Sequence, residues 1–124
     1  MMRSRIRTER HFRNALATAT GLALALIAPL AKAECSATSC DNARVLQLYT
    51  EANGNVYVQL SGTMSNLNCT LAGGVFVTLV PTRTRFKEIY ASLLAVQLRD
   101  GLISVRIDTG SSGCTIAYTI TAAS

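Results

Sequence analysis

All four cysteines of this chain, Cys35, Cys40, Cys69 and Cys114, lie beyond residue 33, behind a segment with the layout of an export signal. That segment has a basic stretch with Arg3, Arg5, Arg7, Arg10 and Arg13, an apolar stretch from Ala15 to Leu30, and the small-residue triplet Ala31-Lys32-Ala33. These three features match the n-region, h-region and cleavage site of a secretory signal peptide. The expectation is therefore a signal peptide over 1–33 and a single disulfide-stapled domain over 34–124. Thr18, Thr20, Gly21 and Pro29 interrupt the apolar stretch, which falls short of the ~20 residues a transmembrane helix needs. No membrane span is expected after cleavage. Glu34 ahead of Cys35 is the wrong residue for a lipoprotein acylation site, and no two arginines are adjacent as a twin-arginine signal requires.

Export places the cysteines in an oxidising compartment, periplasmic or extracellular, where thiols pair. A domain of this size has a core that is marginal by itself, so staples are expected. Of the three pairings four cysteines allow, Cys35 with Cys40 and Cys69 with Cys114 is the favoured scheme. The first would form a small ring pinning the start of the domain. The second would tie the loop before the third strand to the start of the last. On the chain-entropy account the long loop is worth roughly 3–4 kcal/mol and the small ring ~2 kcal/mol. A redox role would need a CxxC motif, whereas Cys35 to Cys40 is CxxxxC.

The same boundary decides the electrostatics. The whole chain has twelve Lys and Arg against seven Asp and Glu. Arg3, Arg5, Arg7, Arg10, Arg13, Lys32 and Glu9 precede residue 34, so six of each sign remain and the formal charge of 34–124 is zero. The basic isoelectric point belongs to the leader and carries no implication of nucleic acid. His11, the only histidine, also lies in the leader. Residues 34–124 therefore lack the Ser-His or Cys-His pair and the imidazole metal ligands that much hydrolytic and zinc chemistry uses. No enzyme activity, metal or cofactor is expected.

Within 34–124, Val45, Leu46, Leu48 and Tyr49 form an apolar run ended by the turn signal Glu51-Ala52-Asn53-Gly54, and Val56 to Leu60 follows as a second strand. Gly73-Gly74 release a third, Val75 to Val80, closed by Pro81. The period then changes: Phe86, Ile89, Tyr90, Leu93 and Leu94 recur at three- and four-residue steps. This predicts an amphipathic helix of about four turns with Thr82 or Thr84 as N-cap and its stop near Gly101. Phe86, Tyr90, Leu93 and Leu94 are expected to face the core, and Arg85, Lys87, Glu88 and Ser92 to face away. Leu102 to Ile107 and Thr115 to Ile120 alternate as two closing strands. The order β-β-β-α-β-β predicts a mainly β domain with one helix, a five-stranded OB-fold-like Greek-key barrel. A helix packed on an open antiparallel sheet is the chief alternative.

Other groups that could carry function are few. Tyr49, Tyr57, Tyr90 and Tyr118 could offer stacking surfaces for sugars or bases, although at these spacings half-buried packing is the commoner role. Arg83, Arg85 and Lys87 crowd the positive end of the expected helix, which is unfavourable unless something acidic lies nearby. Glu88 with Asp100 or Asp108 is the available acid pair, with no spacing that forces the two together. Asn68-Cys69-Thr70 fits a glycosylation pattern, read here as chance because its cysteine is wanted for a disulfide.

The stretch Phe86-Lys87-Glu88-Ile89-Tyr90, continuing through Leu93-Leu94-Ala95 to Gly101 and Val105-Arg106-Ile107, resembles the helix and following strand of pentameric toxin B subunits of the subtilase cytotoxin and typhoid toxin type. The likeness covers about half of 34–124. It implies a secreted, disulfide-bonded OB-fold that binds sialylated glycans and assembles as a homo-oligomer. The toxin subunits carry a second-strand cysteine where this chain has Val56 and Val58, so the disulfide scheme must differ, and no sugar-binding residue is carried over. The resulting expectation is an exported non-enzymatic module whose partner is a glycan or a protein surface. The alternative is a periplasmic structural or inhibitory protein acting through protein contacts.

Overall fold

The computed structural model describes residue 21 and residues 32–121. The expected leader lies outside the described residues except for Gly21, Lys32 and Ala33. In chain order the elements are β1 (Glu34–Cys35), β2 (Ser39–Ala43), β3 (Val45–Thr50), β4 (Val56–Leu60), a 3-10 turn (Met64–Asn66), β5 (Thr70–Leu71), β6 (Val77–Leu79), α1 (Phe86–Leu98), β7 (Ile103–Ile107), β8 (Ser112–Gly113) and β9 (Ile116–Thr121). The described residues are mainly β with one α-helix, as the patterning predicts.

Two sheets and a short parallel pair hold the strands. One sheet runs β1-β2-β7-β9, the other β3-β4-β6, and β5 lies parallel to β8. Only Arg44 separates β2 from β3, yet β2 pairs with β7 and β3 with β4. The register slips on both sides of this point, between Cys40 and Ala43 and between Val45 and Gln47. Bulges of this kind bend a strand, and here the bend feeds one run of chain into both sheets. At the far side a parallel bridge joins Thr78 to Thr115. Among the described residues the ladders do not close into a barrel. To the five strands expected from the sequence the fold adds β2, a five-residue strand in the cysteine-bearing segment before Arg44 where no strand was expected, and β1, β5 and β8, two-residue strands too short to show periodicity.

The β3–β4 hairpin forms where Asn53-Gly54 place it. The Gly54 amide donates to the Glu51 carbonyl at 2.9 Å, and Gly54 has φ 88°, a region open to glycine without strain. Strand β4 then alternates, with Val56, Val58 and Leu60 buried. Strand β6 is shorter than the expected Val75 to Val80. Phe76 and Ala72 exchange backbone hydrogen bonds at 2.9 and 3.0 Å, which uses Val75 and Phe76 in a tight loop before pairing with β4 begins.

The helix departs from expectation at its start and in its inward face. It begins at Phe86, with Arg85 as a left-handed N-cap at φ 63° and no side-chain cap. Residues 82–85 are spent in turns, the Arg83 amide donating to Val80 and the Phe86 amide to Arg83, each at 3.0 Å. Neither Thr82 nor Thr84 caps the helix. Its buried residues are Ile89, Leu93 and Val96. Of the expected inward set only Leu93 is fully buried, while Phe86, Tyr90 and Leu94 are half-buried. Spacing of four and then three residues puts Ile89, Leu93 and Val96 on one stripe, and it is this stripe that meets the sheets. Arg85, Lys87 and Glu88 are exposed, and Ser92 is half-buried with its hydroxyl donating to the Glu88 carbonyl at 3.0 Å.

At the other end Asp100 takes the left-handed turn at φ 52°. Its amide donates to Gln97 at 3.3 Å and that of Gly101 to Val96 at 2.7 Å, the paired bonds of a Schellman stop. Arg44, from the β2–β3 bend, reaches over to this end. Its guanidinium donates to the Asp100 carbonyl at 2.8 Å and lies 2.6 Å from the Asp100 carboxylate. A cation at a helix C-terminus is favourable, and this one links helix to bend.

The core between the sheets and α1 is aliphatic, with Val58, Val77, Leu79, Leu93, Val96, Val105 and Ile116 fully shielded. Both disulfides follow the favoured scheme. Cys35 and Cys40 face each other across β1 and β2 with Cα atoms 4.0 Å apart, and Cys69 is bonded to Cys114 with Cα atoms 5.0 Å apart. Among the described residues no helix is long and apolar enough to cross a membrane.

Candidate functional site

On the β3–β4–β6 sheet, Leu48 and Val58 are paired neighbours, and Leu48 packs against the core beside buried Val58. The two-residue period then sends the flanking pairs Tyr49 with Tyr57 and Gln47 with Gln59 to the outer face. The Tyr49 and Tyr57 rings stack with centroids 5.0 Å apart and planes 26° apart. Phe76, delivered by the loop before β6, meets Tyr49 edge-on at 5.3 Å and Tyr57 at 6.3 Å. Offset and edge-to-face contacts of this kind hold aromatic clusters together. Tyr49 stays 38% exposed and its neighbour in the cluster, Tyr57, is half-buried.

The hairpin tip supplies polar groups to the rim of this cluster. The Tyr57 hydroxyl donates to Glu51 Oε2 at 3.1 Å, and Asn53 Nδ2 donates to the same oxygen at 3.3 Å. Asn55 Nδ2 donates to the Tyr57 oxygen at 3.4 Å, while the Asn55 amide donates to Asn53 Oδ1 at 2.9 Å. One carboxylate and two amides are thus fixed beside an exposed aromatic ring. The Tyr49 phenol is held above its ordinary ionisation range, first because its surroundings desolvate the phenolate, then by the Glu51 charge and by Tyr57.

The other residues singled out from the sequence go elsewhere. Tyr90 stacks on Phe86 at 6.2 Å along the helix, and Tyr118 stands 47% exposed on β9, in the other sheet from Tyr49 and Tyr57. Tyr118 borders a groove of about 270 Å³ between β9 and α1, lined also by Thr84, Arg85, Glu88 and Ser92. The acids Glu88, Asp100 and Asp108 do not meet one another. Each lies against an arginine: Glu88 against Arg85 at 3.8 Å, Asp100 against Arg44, and Asp108 against Arg83. The basic crowding at the helix start is relieved in this way by Asp108 and Glu88. Among the described residues no three His, Cys, Asp or Glu side chains group closely enough to hold a metal ion.

Sequence reasoning named Tyr49 and Tyr57 as stacking groups but missed Phe76, Gln47, Gln59 and the Glu51–Asn53–Asn55 rim. The glutamines were readable from strand parity, being two residues from each tyrosine. Phe76 was not, because it reaches the face from a loop.

No family model, no curated protein and no solved structure matches this chain. The residues themselves carry the functional reading.

Proposed function

We propose that this chain is an exported, non-enzymatic binding module that holds a glycan on the face built by Tyr49, Tyr57 and Phe76. One observation carries the reading: a partly exposed, stacked aromatic pair rimmed by a carboxylate and two amides that are already fixed by hydrogen bonds. An aromatic ring matches the C–H face of a pyranose, and carboxylate and amide groups match its hydroxyls. The apolar surface supplies contact area and the few placed polar groups supply orientation. Two disulfides are the chemistry of an oxidising, periplasmic or extracellular setting.

The fold is proposed to be of the OB type, related to the toxin B subunits the helix region resembles. The element order supports this, as does the run from β2 through Arg44 to β3 that serves both sheets. The parallel Thr78–Thr115 bridge, which ties β6 to the chain entering β9, also supports it. A second reading, action through protein contacts, is favoured by Tyr118 and Ile120, 47% and 58% exposed on β9, a strand with one neighbour in its sheet among the described residues. Unprotected edges invite strand pairing.

A glycan-array screen of the exported protein tests the first reading. Retention of a glycan by the native chain and its loss in Tyr49→Ala, with unchanged thermal unfolding, is the expected result. Undiminished binding by Tyr49→Ala would move the site off this face.

A further inference from the structure

We infer that the ligand of the Tyr49–Tyr57–Phe76 face is an uncharged saccharide, because the strands and hairpin that build the face carry no cation of their own. The inference rests on the glycan reading above and adds to it the chemical class of the sugar. It departs from the sialylated glycans that the toxin-subunit resemblance implies.

Charge is segregated along the chain. From Val45 through Thr82, the stretch that contains β3, β4, β5, β6 and the whole aromatic face, Glu51 is the one charged side chain. The groups that β3, β4 and their hairpin bring to this side are otherwise uncharged and rich in hydrogen-bonding atoms: Gln47, Gln59, Asn53, Asn55 and the two phenols. An acidic sugar requires a donor that offsets its carboxylate, ordinarily arginine or lysine. The two arginines that bracket this stretch are otherwise engaged, Arg44 with Asp100 and Arg83 with Asp108. Glu51 stands at the rim, where it would repel a second carboxylate and where its oxygens can accept from sugar hydroxyls. Those hydroxyls would bond to an ionised acceptor, stronger than a neutral one. The face therefore selects by exclusion of anions as well as by stacking.

The test uses the exported protein with three probes: neutral galactose- or glucose-terminated oligosaccharides, their sialylated counterparts, and the same neutral sugars across a range of ionic strength. Neutral sugars are expected to bind at least about tenfold more tightly than sialylated ones, with little change from low to high salt, since no charge pair is formed to be screened. Glu51→Gln should weaken neutral-sugar binding by about tenfold, the loss of a hydrogen bond to a charged group, and narrow the discrimination against sialylated probes. Preferred binding of the sialylated probe that is abolished by Tyr49→Ala would overturn the inference while leaving the site standing. Binding of any sugar that survives Tyr49→Ala, or no sugar binding at all, would overturn both.

Discussion

The Thr78 amide donates to the Cys114 carbonyl at 3.0 Å, and through that bond β6 of one sheet meets the chain leading into β9 of the other. Cys114, fully buried, is also bonded to Cys69, so one residue holds a hydrogen bond between sheets and a covalent link across 45 positions of sequence. Loss of the Cys69–Cys114 link, as Cys69→Ser with Cys114→Ser, should destabilise the domain by about 4 kcal/mol on the chain-entropy account. Loss of the Cys35–Cys40 ring should cost about 2 kcal/mol. Denaturant unfolding of the two double variants gives the comparison, and equal costs would show that loop length does not govern the effect.

Most of this architecture is legible where a local pattern has one physical solution. Asn53-Gly54 admits a tight hairpin, Val56, Val58 and Leu60 alternate into a half-buried strand, and the switch to three- and four-residue spacing after Pro81 admits a helix. What the pattern leaves open is set by tertiary contact. Ile89, Leu93 and Val96 became the inward stripe because the sheets lie on that side, and no periodicity distinguishes them from Phe86, Tyr90 and Leu94. The Arg44 bend has no local signature, since its reason is that two different sheets claim the residues on either side. The aromatic face was half legible: parity pairs Tyr49 with Tyr57, while Phe76 arrives by a loop whose path depends on the Ala72–Phe76 bridge.

Leu93 is fully buried at the centre of the helix stripe. Leu93→Ala should cost about 2–5 kcal/mol, the usual range for a buried leucine truncated to alanine, and a large share of the stability of a domain this size. Lys87→Ala, on the exposed face, should change stability by less than about 0.5 kcal/mol. Thermal unfolding of both variants checks the pair, and a harmless Leu93 change would mean that α1 is not a core element.

Thr78 is 5% exposed and its hydroxyl has no hydrogen-bond partner among the described residues. It faces Gly113, whose φ of 83° and close approach leave no room there for a side chain. A buried hydroxyl without a partner costs stability, and replacing it by an apolar group of the same shape removes that cost. Thr78→Val keeps the β-branch that suits a strand and should stabilise the domain by about 1 kcal/mol, raising the thermal midpoint by about 4–8 °C. A lowered midpoint would show that the hydroxyl is satisfied in solution.

The Tyr49 phenol offers a test at alkaline pH. Desolvation is the first cause of its upward displacement, and the Glu51 carboxylate and Tyr57 follow. In the unfolded chain the same phenol ionises near its ordinary value of about 10. Because the folded value is the higher one, the folded state holds the proton more tightly. The stability this brings is fully present below the ordinary phenol value and is lost as pH rises through the folded value. Removing the neighbouring charge should lower the barrier to ionisation without abolishing it, since desolvation remains. In a spectrophotometric titration of phenolate absorbance, the difference between the native chain and Tyr49→Phe isolates this group. It should ionise above a free tyrosine, and Glu51→Gln should move it part of the way back. An unmoved midpoint in Glu51→Gln would mean that the carboxylate turns away from Tyr49 in solution, and the rim of the binding face would have to be redrawn without it.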